Sequence, residues 1–204
     1  MKIQSERTAQ TQADLVAAFW VHYKEKPINK ITVKEVTDTA GYYRSTLYYY
    51  FEDVYAILEY IEDSVIADWE ASITAVLKNG LEILMQNNVQ VLIEQITPFY
   101  IKNAEYISVL LGPNGDPLFQ QRVKDTLRSR LFTMLDIPQH STEAQIFFEC
   151  VSSGMMALVV KGYNDKLPLE LVIKVVEKFL QQNVLTPLIQ YSANPLLKQF
   201  AANA

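Results

Sequence analysis

ITVKEVTDTAGYYRSTLYYYF, residues 31–51, reads as two short helices joined by a tight glycine turn. The first is announced by a capping box: Thr32 can accept from the backbone N–H of Glu35 while the Glu35 carboxylate reaches back to the Thr32 N–H. Ile31 and Val36 stand where a hydrophobic staple would close over that start. Gly41 ends the helix, because a residue without Cβ takes the left-handed conformation at little cost. In the second helix Leu47 and Phe51 are four apart, share a face and can pack against Val33, Val36 and Ala40 of the first. Arg44, Ser45, Tyr48 and Tyr49 are left outside. Tyr48, Tyr49 and Tyr50 cannot all point inward, since successive helical residues are about 100° apart.

That outer face suits an element laid in the major groove of DNA. Arg44 can bond a guanine edge bidentately or reach a phosphate. Ser45 and Thr46 are small enough to let a helix sit deep, and tyrosine hydroxyls can donate to phosphate oxygens. Tyr42 and Tyr43, in the turn, join them as candidate DNA contacts. The plainer reading makes the tyrosines half-buried core residues, as most aromatic stripes are. Upstream, Leu15, Val16, Phe19, Trp20 and Tyr23 recur at helical spacing and would lay one apolar face over the two short helices, with Pro27 marking the end of that run.

On these residues the segment resembles the DNA-binding motif of the tetracycline-repressor (TetR) family of bacterial regulators. Ala40-Gly41, Arg44, Ser45, Thr46, Tyr48 and Phe51 match its pattern in place. The resemblance implies that Thr32 touches a phosphate, that Arg44 and Ser45 approach bases, and that Tyr48, Tyr49 and Tyr50 grip the backbone. The chain departs from the pattern twice: Tyr43 stands where a helix-capping Ser is common, and Val54 where a phosphate-binding Lys follows. The motif-level resemblance covers about the first 60 residues; beyond them the chain matches only in length and helicity.

Charge is distributed in the same sense. Residues 1–50 carry Lys2, Arg7, Lys24, Lys26, Lys30, Lys34 and Arg44 against Glu6, Asp14, Glu25, Glu35 and Asp38, an excess of about two positive charges on a chain whose net is −5. A pI near 5.1 means that DNA can be held only by local charge, so binding should be strongly salt-dependent. Half of the 204 residues are apolar, ample for a core. The lone Cys150, among Phe147, Phe148 and Val151, suggests a buried thiol in a reducing compartment. No signal-peptide h-region opens the chain, and the apolar run Met155–Val160 falls short of a membrane span, so a cytoplasmic protein without membrane attachment is expected.

Past the motif, Val54, Leu58, Ile61, Val65, Trp69, Ile73 and Val76 repeat every three or four residues with no Gly or Pro between Tyr42 and Asn79, which predicts one long helix. A second run from about Asn87 to Asn103 meets Pro98, which should kink it or end it early. Gly112–Pro117 reads as a loop. Helices are expected near Pro117–Leu135, Thr142–Gly162 and Leu169–Val184, with turns at Asp136–Ser141 and Asn164–Pro168. The expected architecture is all-α, about nine helices, with a helix-turn-helix DNA-binding domain over 1–52 joined by the long helix to a helical ligand-binding and dimerisation domain over 53–204.

In the family, two C-terminal helices pair with their copies in a second subunit. The runs Ile146, Phe147, Cys150, Val151, Gly154, Leu158 and Leu171, Val172, Val175, Val176, Phe179, Leu180 have the apolar width for a homodimer interface, and Gly154 beside Ser153 would allow close backbone approach. The same faces could instead be buried within one subunit. The resemblance also implies a small-molecule effector in the helical body, displacing the long helix and with it the head. Trp69, Phe99, Tyr100, Tyr106, Phe147 and Met155 are the candidate pocket residues, each also an ordinary core residue in the plainer reading.

Enzymatic readings fare poorly. His22 and His140 stand apart with no Cys cluster or HExxH, and neither a glycine-rich phosphate loop nor a GxSxG elbow is present, so no cofactor or metal is expected. Glu52-Asp53 and Glu62-Asp63 read as solvated helix faces rather than acid/base couples. The expected function is a sequence-specific DNA-binding transcriptional regulator, a repressor, with a double-stranded operator, a second copy of itself and a small-molecule effector as partners. The competing class is a regulator-shaped protein that acts through a protein partner without specific DNA binding; a ligand-binding dimer with a vestigial head is a third. Arg44→Ala separates them.

Overall fold

A computed structural model describes residues 2–78, 89–181 and 186–203, with the side chains of 7–78, 90–180 and 187–199. Ten α-helices and no strand are found among the described residues, so the protein is all-α. Two compact units form, the first holding Met1–Ser64 with Pro113–Gly115 and the second holding Val65–Gly112 with Asp116–Ala204.

The first unit contains α1 (Lys2–Tyr23), a single 3-10 turn at Ile28–Lys30, α2 (Val33–Ala40), α3 (Arg44–Tyr50) and the start of α4 (Val54–Lys78). Leu15, Phe19, Trp20 and Tyr23 of α1 are buried with Val36 of α2, Leu47 of α3 and Phe51, so the apolar stripe of α1 is a core face as its spacing predicts. Phe19 and Tyr23 stack with ring centroids 5.5 Å apart. The Tyr23 hydroxyl donates to the Asn114 carbonyl at 3.1 Å, which ties the Pro113–Gly115 tip into this unit. Glu62 is a correction to the solvated-face expectation: it is only 5 % exposed, while Asp63 is exposed. The reason is periodicity, since Glu62 stands one turn after Leu58 and beside Ile61 on the buried side of α4.

In the second unit, α4 continues to Lys78 and is followed by α5 (Val89–Leu110), α6 (Pro117–Met134), α7 (Thr142–Asn164), α8 (Leu169–Gln181), α9 (Thr186–Ile189) and α10 (Pro195–Asn203). The expected start of α5 at Asn87 and the end of α8 at Val184 lie outside the described residues. α5 does not stop at Pro98 but runs on to Leu110. Pro98 is exposed and so is Glu94, whose carbonyl loses its ladder partner; solvent can satisfy it there, so the helix survives.

Helix ends follow local chemistry. Asp116 caps α6 through the Leu118 N–H at 2.8 Å, with Pro117 in the first turn. α6 and α7 each close through a left-handed residue, Asp136 and Lys166, and the next amide reaches back to Phe132 and Gly162 carbonyls at 2.8 and 2.9 Å. α5 packs on α7 and α8, and α6 on α7. Gly162 makes the α7–α8 contact possible: a Cβ there would meet the Val172 side chain at 2.8 Å. At Gly154 a Cβ would meet nothing within 4 Å. Leu131, Phe132, Leu135, Ile137, Ala144 and Phe148 form a core cluster that Leu188, Ile189 and Leu197 complete.

Cys150 is exposed, contrary to the buried thiol expected from its neighbours. α7 turns Ala144, Phe148 and Ser152 inward, and Cys150, two residues from both Phe148 and Ser152, lies about 200° away on the other side. α7 is also, among the described residues, the one helix long and apolar enough by length and composition to cross a membrane, which the short run Met155–Val160 did not suggest. It carries Glu149, which pairs with Lys124 of α6.

Lys124 is only 7 % exposed and donates to Glu149 and, at 2.9 Å, to the Ser153 hydroxyl. A buried ammonium that loses its carboxylate keeps its desolvation cost without the compensating attraction. Glu149→Ala should therefore destabilise the second unit by about 1–3 kcal/mol, the half-exposed carboxylate placing it below a fully buried pair, whereas Lys124→Met should be near neutral. Urea unfolding of the two variants checks both.

Candidate functional site

α2 is built as its sequence predicts. Thr32 Oγ1 accepts from the Glu35 N–H at 3.2 Å, and the Glu35 carboxylate accepts from the Thr32 N–H at 2.9 Å. Gly41 closes the helix with φ 74°, and the Tyr42 N–H returns to the Thr37 carbonyl at 3.0 Å. Lys26 Nζ adds an ion pair to Glu35 at 2.6 Å. That bond, helped by those from Thr32, lowers the Glu35 carboxyl from an ordinary 4.5 to about 2. A lowered folded-state value means the contribution is full above pH 4.5 and disappears as the pH falls toward 2. Glu35→Ala should unfold the first unit at lower urea than wild type at neutral pH, with the gap closing over that window.

The residues singled out for DNA contact separate into two groups. Tyr43, Tyr49 and Tyr48 are 84, 79 and 58 % exposed, and Arg44, Ser45 and Thr32 are exposed with them. Arg44 makes no hydrogen bond or ion pair with the described residues, and it is the only cation on α3. Tyr43 occupies the N-cap position without a side-chain cap bond; its carbonyl takes the Thr46 N–H at 2.9 Å, and the Arg44 and Ser45 amides at that helix start remain available to an acceptor. In the second group, Thr46 and Tyr50 are half-buried, Tyr50 lying edge-on to Tyr49 at 5.0 Å. Tyr42 is also half-buried and its hydroxyl donates to Asp14 of α1 at 2.8 Å. Tyr42 thus fastens the turn to α1, a role that no local pattern signals because its partner lies 28 positions away.

The two departures from the family pattern acquire structural content. Val54 is buried at the start of α4, a place with no room for a solvated ammonium. Asp53 Oδ1 accepts from the Ala56 N–H at 2.9 Å, so this carboxylate is engaged in starting α4. The aspartate beside α3 is accounted for by helix capping.

The second unit encloses a cavity of about 250 Å³. Of the candidate pocket residues, Trp69, Phe99, Tyr100 and Met155 line it; Tyr106 and Phe147 do not, Phe147 packing instead against the core cluster around Phe132 and Phe148. Residues not anticipated include Ile73 of α4, Ile96 of α5, Phe119 and Val123 of α6 and Met156 of α7. Their only sequence signal is an apolar position on a helical face, which core residues share. Trp69 and Phe99 meet at 5.1 Å between ring centroids, and the Trp69 indole donates to the Val123 carbonyl at 3.3 Å. Among the described residues no cluster of three or more His, Cys, Asp or Glu could hold a metal.

Comparisons with protein-family models, with curated protein sequences and with solved structures returned no significant match. The chain's class is accordingly defined by its own geometry: an all-α protein with a small helical unit that exposes α3 and a larger helical unit that encloses an apolar cavity.

Proposed function

We propose that this protein is a DNA-binding regulator of transcription, a repressor of the TetR type, which acts in the cytoplasm as a homodimer and takes a small-molecule effector in its helical body. The observation that carries the reading is the outward face of α3, where Arg44, Ser45, Tyr48 and Tyr49 stand exposed beside a fully capped α2. A short helix whose inner side is held by Leu47 and whose outer side offers one guanidinium and several hydroxyls has the chemistry of a helix-turn-helix reader. The homodimer is supported by the apolar residues left exposed on α7 and α8, Ile146 and Cys150 on one and Leu171 and Val175 on the other.

Selection of bound duplexes from a random library at moderate salt tests the reading. A dimeric reader enriches a two-fold symmetric sequence with half-sites about 34–36 Å apart, or a multiple of that spacing. Absence of enrichment would transfer the reading to a regulator that acts through a protein partner.

A further inference from the structure

We infer that Tyr49 is a specificity-determining residue of α3, its ring meeting the C5 methyl of a thymine on the floor of the major groove; this deepens the proposed DNA reading and rests on it. The family resemblance sets Tyr49 among the residues that grip the backbone, but the helix gives it a different place. Leu47, fully buried, fixes the inward direction of α3. At about 100° per residue, Ser45 and Tyr49 each lie about 160° from Leu47, one on either side of the direction that faces straight out. Arg44 and Tyr48 fall on one flank, Thr46 and Tyr50 on the other. A helix seated in the major groove turns its outward ridge to the base edges and its flanks to the phosphate walls. Tyr49 then stands over the floor, and the small Ser45 one turn before it leaves room.

The ring is also held ready. Tyr49 is 79 % exposed, yet it lies edge-on to the half-buried Tyr50, with centroids 5.0 Å apart and planes at 83°, so it has little side-chain freedom left to lose when a partner meets it. Charge removes the main alternative source of affinity. Met1–Ser64 of the first unit hold seven Lys and Arg against ten Asp and Glu, because Glu52, Asp53, Glu59, Glu62 and Asp63 come after α3. A unit of net negative charge gains little long-range attraction to phosphates and must discriminate by short-range contact. Among the base edges of the major groove, the thymine methyl is the apolar group that an aromatic ring can cover.

The test replaces each thymine of the selected consensus duplex in turn with deoxyuridine, which keeps the base pair and removes only the methyl. Binding by the full-length wild type, Tyr49→Phe and Tyr49→Ala is measured at low salt, where weakened variants still bind. For wild type, one thymine per half-site should lose about fourfold on replacement, the effect of uncovering one methyl-sized group, and about fifteenfold when both half-sites are changed. Tyr49→Phe keeps the ring and should keep that penalty; Tyr49→Ala should bind the thymine and deoxyuridine duplexes equally. A penalty that persists in Tyr49→Ala, the absence of any thymine sensitive to replacement, or a uniform loss on consensus and scrambled duplexes in Tyr49→Phe, the mark of a hydroxyl on a phosphate, would each overturn the inference. Any of these leaves the DNA reading standing, whereas a selection that enriches no sequence removes that reading and this inference together.

Discussion

Arg44→Ala is expected to abolish the enrichment of a symmetric consensus while leaving the helical content unchanged. Arg44 is exposed, makes no hydrogen bond or ion pair with the described residues and is the only cation on α3, so its removal breaks no such bond within the protein. A guanidinium bidentate to a guanine contributes about 1–3 kcal/mol of discrimination, roughly 5- to 150-fold per site. In a two-fold symmetric complex the residue acts twice, and the combined loss exceeds what a selection can detect. Binding of the consensus and of a scrambled duplex over a salt series separates the possible roles. Loss on the consensus alone means that Arg44 reads a base; equal loss on both, with a salt slope reduced by about one for each contact, means that it holds a phosphate. Indifference to the substitution on both duplexes would sink the DNA-reading proposal.

Phe19→Ala should have the opposite signature, losing the first unit rather than its contacts. Phe19 is fully buried in α1, stacked on Tyr23, in a unit whose core also includes Trp20, Val36 and Leu47. Removing such a ring costs about 3–5 kcal/mol through lost burial and the cavity left behind. Whole domains are stable by only about 5–15 kcal/mol, and a unit this small lies toward the low end. Hydrogen exchange read by mass spectrometry should show α1 to α3 losing protection while α6 and α7 keep theirs. Arg44→Ala should keep protection in both units. Two variants that both fail in duplex selection are thereby told apart, one through chemistry and one through folding.

Much of the local geometry of α2 and α3 was legible from residues 31–51 because its determinants are local. A capping box spans three positions, a glycine C-cap one, and the inward pair Leu47 and Phe51 one turn. The same holds for the extent of α4, for the loop at Gly112–Pro117 and for the turns that Asp136 and Lys166 close. None of these requires knowledge of what lies across the fold. The cavity was legible only in part, since Trp69, Phe99, Tyr100 and Met155 line it while Tyr106 and Phe147, chosen on the same grounds, do not.

The sequence by itself therefore determined the all-α class, most helix limits among the described residues and which residues share a face on each helix, because helical periodicity and end chemistry act over three to five positions. Only the tertiary structure decided what each face meets. It exposed Cys150 among apolar neighbours, buried Glu62 on α4, engaged Tyr42 with Asp14, and let α5 pass Pro98 where solvent can take the freed carbonyl. The partner of Tyr42 and the freed carbonyl at Pro98 depend on a residue distant in the chain and on access to water, about which a period of 3.6 residues carries no information, whereas Glu62 and Cys150 follow from which side of their helices the fold turns inward.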